Sequence, residues 1–92
     1  MSTNNFTFGQ LVSTPGALDA FRRNGEEPWP YLARHADGDW GDLDEDDMRF
    51  NNAALRHGER LLSAYTLPDG TRIYIISEAD RSSTFILLPV EY

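Results

Sequence analysis

Apolar positions along the chain fall first into helical and then into strand-like spacing. Thr14-Pro15 has the chemistry of an N-cap followed by the first helical residue, and Gly25 stops the segment. Between them Leu18 and Phe21, with Ala17 and Ala20 beside them, predict the buried side of a first helix. Phe6 to Val12 is apolar enough to pack but too short to assign. Pro28-Trp29-Pro30 opens a second helix, in which Trp29, Leu32, Ala33 and Ala36 stand at i, i+3, i+4 and i+7. Gly38 ends it, and the two Gly and three Asp of Asp37-Gly38-Asp39-Trp40-Gly41-Asp42 favour a loop. A third helix is predicted from about Asp44 to Gly58. Asp44 caps it, Leu43 and Met48 flank the cap as a hydrophobic staple, and Arg56 and His57 occupy the last turn.

From Arg60 the period becomes two. Leu61, Ser63, Tyr65 and Leu67 take one side, and Leu62, Ala64 and Thr66 the other. Pro68-Asp69-Gly70 is a turn, Thr71 to Ser77 is rich in Ile and Tyr, and Ala79 to Ser82 is a second polar turn. Thr84 to Leu88 is continuously apolar, as expected of a central strand, and Pro89 closes it. The expected fold is therefore α+β. About three N-terminal helices pack on one face of a C-terminal three-stranded antiparallel meander, in a single domain spanning 1–92.

Charge changes this picture because it is localised. The chain has 15 acids, eight cations that are all Arg, and a net charge of −7. Asp37, Asp39, Asp42, Asp44, Glu45, Asp46 and Asp47 lie within one stretch without Arg, and elsewhere eight acids face eight Arg. Such a field repels a phosphate backbone, so direct nucleic-acid binding is not expected; a basic protein surface is the expected partner. The first helical turn accounts for Asp44 and its neighbours through the helix dipole. Asp37, Asp39 and Asp42 precede it, and their replacement by Asn is expected to leave folding intact. The predicted partner-binding set is Asp37, Asp39, Trp40, Asp42, Asp46 and Asp47. Trp40 has two readings, a core plug or a partner anchor, and the small size of the domain favours the core.

Cys is absent, which excludes disulfides and thiolate metal sites. Met1-Ser-Thr-Asn-Asn has no export signature and no stretch is long enough to span a bilayer, so a cytoplasmic protein without membrane contact is expected. The acidic loop fails the calcium-loop spacing in every register tried, and two histidines do not make a zinc site; no metal or cofactor is expected. No phosphate-binding loop, dinucleotide fingerprint or nucleophile elbow occurs. Arg34, His35, Asp80 and Arg81 form a further candidate polar cluster. A hydrogen-bonded structural role is the favoured reading of His35, and a turn cap that of the Asp80–Arg81 pair.

Arg34-His35-x-x-Gly38-Asp39-Trp40-Gly41, Gly58-x-Arg60-Leu61-Leu62-Ser63-Ala64-Tyr65, Glu78-Ala79-Asp80-Arg81-Ser82 and Leu87-Leu88-Pro89-x-Glu91-Tyr92 together resemble a family of short bacterial proteins of plasmids and integrated elements. The resemblance covers most of the chain from Leu11 onward. Where the family has aromatic-Ile-Ile-Thr-Glu, this chain has Tyr74-Ile75-Ile76-Ser77-Glu78. Members are commonly labelled "plasmid-related" or "type I restriction subunit M". A methyltransferase subunit needs a cofactor-binding α/β domain that 92 residues do not supply, so the resemblance implies a mobile-element setting and no activity. The resulting expectation is a small, acidic, non-enzymatic protein-binding module, in its sharpest form an inhibitor of a host defence nuclease of the anti-restriction or anti-CRISPR type. The alternative is a small enzyme or toxin-like ribonuclease of a plasmid system.

Overall fold

The computed structural model describes residues 6–92. Met1 to Asn5, read above for the lack of an export signal, lie outside the described residues. The elements run β1 (Gln10–Ser13), α1 (Pro15–Arg23), α2 (Trp29–Ala36), α3 (Glu45–His57), β2 (Leu61–Thr66), β3 (Arg72–Ser77), β4 (Ser83–Leu87) and a closing 3-10 turn, Pro89–Glu91. The expected architecture needs correction. The sheet has four strands in the order β1-β4-β3-β2 and is mixed, with β1 parallel to β4 and the other pairs antiparallel. Among the described residues the first element is thus a strand rather than a helix.

The missed strand is short, and no alternation marks it. β1 is made by its partner: Gln10 N–H donates to the Ser82 carbonyl at 2.9 Å and Thr14 N–H to the Ile86 carbonyl at 3.0 Å. Both acceptors are more than 70 residues away in the chain. This pairing places β4 in the middle of the sheet, which suits its continuous apolar run.

Local chemistry explains the helices. The Thr14 hydroxyl accepts from Ala17 N–H at 3.1 Å with Pro15 at the first helical position. The Asp44 carboxylate accepts from Asp47 N–H at 2.8 Å, and Gly58 ends α3 in the left-handed region. Ala17, Ala20 and Phe21 of α1 and Leu32 of α2 cover one sheet face, where Tyr65, Leu67, Ile73, Ile75 and Ile86 meet them. Each such aliphatic side chain contributes about 1.5–3 kcal/mol by leaving water. The expected stripe of α2 is rotated. Trp29 is 62% exposed and Ala33 is exposed, whereas Leu32, His35 and Ala36 are buried. Leu18 of α1 is likewise exposed. A polar His takes the inward position because hydrogen bonds await it there.

The outer edge of β2 is closed in two ways. The Asn51 amide of α3 donates to the Leu62 carbonyl at 2.5 Å and accepts from Leu62 N–H at 3.3 Å, mimicking a strand. One residue pair further, Ala64 N–H donates to the Trp40 carbonyl and Asp42 N–H donates to the Ala64 carbonyl at 2.7 Å. Gly41 makes this approach feasible. Its φ is +78°, and a Cβ there would lie 2.0 Å from the Ala64 oxygen and 2.7 Å from the Tyr65 ring.

Gly41→Ala should therefore destabilise the fold by at least about 3 kcal/mol, from left-handed strain plus a backbone clash. Gly58→Ala has a similar φ of +68° but meets open space, and should cost only about 1 kcal/mol. Denaturant titration of the two variants measures the difference.

Candidate functional site

Of the sequence-predicted residues, Arg34, His35, Asp39, Trp40 and Asp42 meet where α2 ends and the loop crosses to β2. His35 is fully buried, packed edge-on between Phe6 and Trp40 with ring centroids 5.2 and 5.7 Å away. Its Nδ1 lies 2.5 Å from the Ser63 hydroxyl and its Nε2 3.0 Å from the Ser77 hydroxyl. Ser77 continues to Thr84 at 2.7 Å, and Thr84 Oγ1 donates to the Phe8 carbonyl at 2.8 Å.

Proton counting orients the whole row. A carbonyl only accepts, so the Thr84 proton is committed to Phe8. Ser77 must then donate to Thr84, and His35 Nε2–H must donate to Ser77. Burial disfavours a charged ring, so Nδ1 accepts from the Ser63 hydroxyl and the row uses a neutral imidazole with its proton on Nε2. Burial holds the His35 pKa down to about 3, with the nearby Arg81 charge acting in the same direction.

Around this row the other conspicuous residues have structural work. Trp40 is 3% exposed and its Nε1–H donates to Asn52 Oδ1 at 2.9 Å, so the ring is core and not a partner anchor. The Tyr65 hydroxyl donates to the Asp39 carbonyl at 2.7 Å; burial above all pushes its pKa up to about 12. Arg34 forks onto Asp39, with Nε 2.7 Å from Oδ2 and Nη2 3.3 Å from Oδ1, and lies over the Tyr65 ring at 4.6 Å. This pairing holds the Asp39 carboxyl below its usual range. Asp39 also accepts from Gly41 N–H, and Asp42 accepts from the Thr66 hydroxyl at 2.7 Å. Asp80 caps the turn at Ser82 N–H. Arg81, in the left-handed region at φ 60°, donates to the carbonyls of Glu59, Glu78 and Ala79 and lies over Phe6. The proposed polar cluster thus separates into an Arg34–Asp39–Tyr65 group and an Arg81 carbonyl clasp, with Phe6 touching both His35 and Arg81.

Asp37, Asp39, Asp42, Asp46 and Asp47 are all exposed. Asp46 pairs with Arg49 one turn along α3. Asp39 is tied to Arg34 and to Gly41 N–H, and Asp42 to Thr66 at the end of β2, partners that the expectation for Asn at 37, 39 and 42 did not include. Among the described residues, the Asp37 and Asp47 carboxylates make no hydrogen bond or ion pair, and no group of three or more His, Cys, Asp or Glu is placed to hold a metal ion.

Sequence reasoning missed the sheet's second face. Leu62, Ile76, Phe85 and Leu87 point away from α1 and α2, as the strand registers require. They floor two adjoining depressions of about 260 and 310 Å³ that share Arg60, Ile76 and Tyr92. Phe50, 69% exposed, and Tyr92, 65% exposed, stand above them. The signal for this face was the continuous apolar run of β4 beside Leu62 and Ile76.

No family model matches the sequence, and no curated protein or solved structure resembles it closely enough to count as a relative. Among the described residues no helix is long and apolar enough to cross a membrane.

His35 contributes stability only while neutral. Its folded pKa lies below the ordinary 6.5, so that contribution is complete above about pH 6.5 and is lost as pH falls toward 3. Unfolding free energy should drop by about 2 kcal/mol between pH 7 and pH 5, before most carboxylates titrate. His35→Gln should be less stable at pH 7 and nearly flat over that interval. Denaturation series at the two pH values check this, and nitrogen-15 spectra of the native imidazole should show the Nε2–H tautomer at pH 5.

Proposed function

We propose that this protein is a non-enzymatic binding module that engages a basic protein surface through the exposed acids between Asp37 and Asp47. The observation that carries the reading is the exposure of all five predicted aspartates there, with the Asp37 and Asp47 carboxylates uncommitted among the described residues. Asp39 and Asp42 face outward while bonding the loop, which fixes the patch geometrically and lowers the entropy lost on binding. Close like charges repel, and a basic partner relieves that repulsion. The resemblance to plasmid-borne proteins supplies the setting of a mobile element. An inhibitor of a host defence nuclease is the sharpest form, with carboxylates in the place of backbone phosphates.

Catalysis has less support. The titratable groups with large displacements, His35 and Tyr65, are buried inside the fold and occupied by hydrogen bonds. A ribonuclease must also draw phosphates toward itself, against a field of −7.

Asp37→Asn combined with Asp47→Asn should melt within about 3 °C of the native protein, because neither carboxylate holds the fold. Capture from a bacterial lysate at about 0.15 M salt, with identification by mass, should yield a basic protein that the double variant no longer retains. Equal retention by both proteins would sink the acidic-patch reading. In a gel shift at the same salt, duplex DNA and single-stranded RNA should remain unshifted.

A further inference from the structure

One face of the sheet is covered by α1 and α2, while the other is a floor of buried and half-buried apolar side chains under two exposed aromatic rings, beside the acidic segment. We propose that this second face is a docking groove for a basic amphipathic helix of a protein partner, forming the apolar half of the surface whose acidic half is the Asp37–Asp47 patch. The proposal rests on the binding function above and specifies the partner's chemistry.

The groove is built rather than incidental. Its floor, Leu62, Ile76, Phe85 and Leu87, is set by strand register; Phe50 rises beside the first depression and Tyr92 stands where the two depressions meet. Tyr92 is fixed from beneath: its ring meets Tyr74 edge-on at 6.0 Å and Arg60 lies over it at 5.3 Å. Just before it, Glu91 accepts from the Thr14 hydroxyl at 2.7 Å and from Leu88 N–H at 2.8 Å, which pins the chain end across the sheet. Two aromatic posts over an aliphatic floor suit an apolar stripe, and helices already cover the opposite face of this sheet by the same complementarity.

Charge selects the occupant. The lining acids are Asp47 at one end and Glu78 and Glu91 at the other, while the lining cation, Arg60, is engaged with the Tyr92 ring. Leu43 and Asp47 line the first depression and belong to the acidic segment itself, so the two surfaces are continuous. A helix with Lys or Arg beside its apolar stripe satisfies both. A second copy of this chain would bring another net charge of −7 against these acids.

The probes are three synthetic helical peptides of about 18 residues, long enough for five turns. One has a Leu stripe flanked by Lys, one has the same composition scrambled to remove the stripe, and one has Glu in place of Lys. Titration against the full chain at about 0.15 M salt should give at least about tenfold tighter binding of the striped Lys peptide than of the scrambled one, and none of the Glu peptide. Phe50→Ser with Tyr92→Ser removes mostly exposed rings and should lower the melting temperature by no more than about 5 °C while erasing that preference. Equal binding of the two Lys peptides, with both weakened by Asp37→Asn and Asp47→Asn, would overturn the groove and spare the acidic patch. Absence of binding by either Lys peptide would count against both. Retention of the preference by the Phe50/Tyr92 variant would overturn the groove. So would a native dimer in sedimentation that this variant abolishes, because a second copy would then be the occupant.

Discussion

A neutral imidazole, sealed into the core and hydrogen-bonded at both nitrogens, ties α2 to the strands of the sheet it packs on. His35 binds α2 to β2 through Ser63 and to β3 through Ser77, and Thr84 extends the row to β4 and to the segment leading into β1. Every donor in the row has one acceptor, so rotation of one hydroxyl leaves a buried group unsatisfied at a cost of about 1–3 kcal/mol. Apolar contacts of similar volume would tolerate sliding between layers; this row does not. The loop that carries the acids begins two residues after His35 and leans on Trp40, itself packed against the imidazole. The position of the acidic patch is thus inherited from the core.

The residues that look chemical in the sequence mostly hold the backbone in place. Arg34 fixes Asp39, Arg81 gathers three carbonyls, Asp44 and Asp80 cap, and Asn51 stands in for a missing strand. This is economical for a chain of 92 residues without disulfides, where a modest core leaves little stability to spare.

What could be read from the sequence divides along physical lines. Caps and breakers act within a few residues, so Thr14-Pro15, Asp44 and Gly58 mark helix ends correctly. Alternation from Leu61 to Leu67 and the two polar turns locate β2, β3 and β4. β1 was hidden because four residues carry too little pattern and its ladder comes from the far end of the chain. The face of α2 was misjudged because a hydropathy stripe counts His35 as polar, whereas two serines and two aromatic rings make its burial favourable. The exposed acids were legible from composition. The ties of Asp39 and Asp42 were not, since both depend on partners that the fold brings near. The apolar groove was half legible: the continuous run of β4 marks an apolar second face, but which side of the sheet the helices leave open is not in the pattern.

The parallel pairing of β1 with β4 has a consequence for the order of assembly. Leu11 stands beside Thr84 and Val12 beside Phe85, so the first strand's ladder closes a loop of more than 70 residues. Closing a loop of that length is entropically slow. During synthesis the ribosome releases β1 well before its partner exists, and the strand must wait while helices and the β2–β3 hairpin form behind it. Its uncharged sequence, Gln10-Leu11-Val12-Ser13, is then an unpaired strand exposed to other nascent chains. Completion of the sheet is therefore a late step of assembly, and the interval before it is when the chain is most open to chaperones and to aggregation.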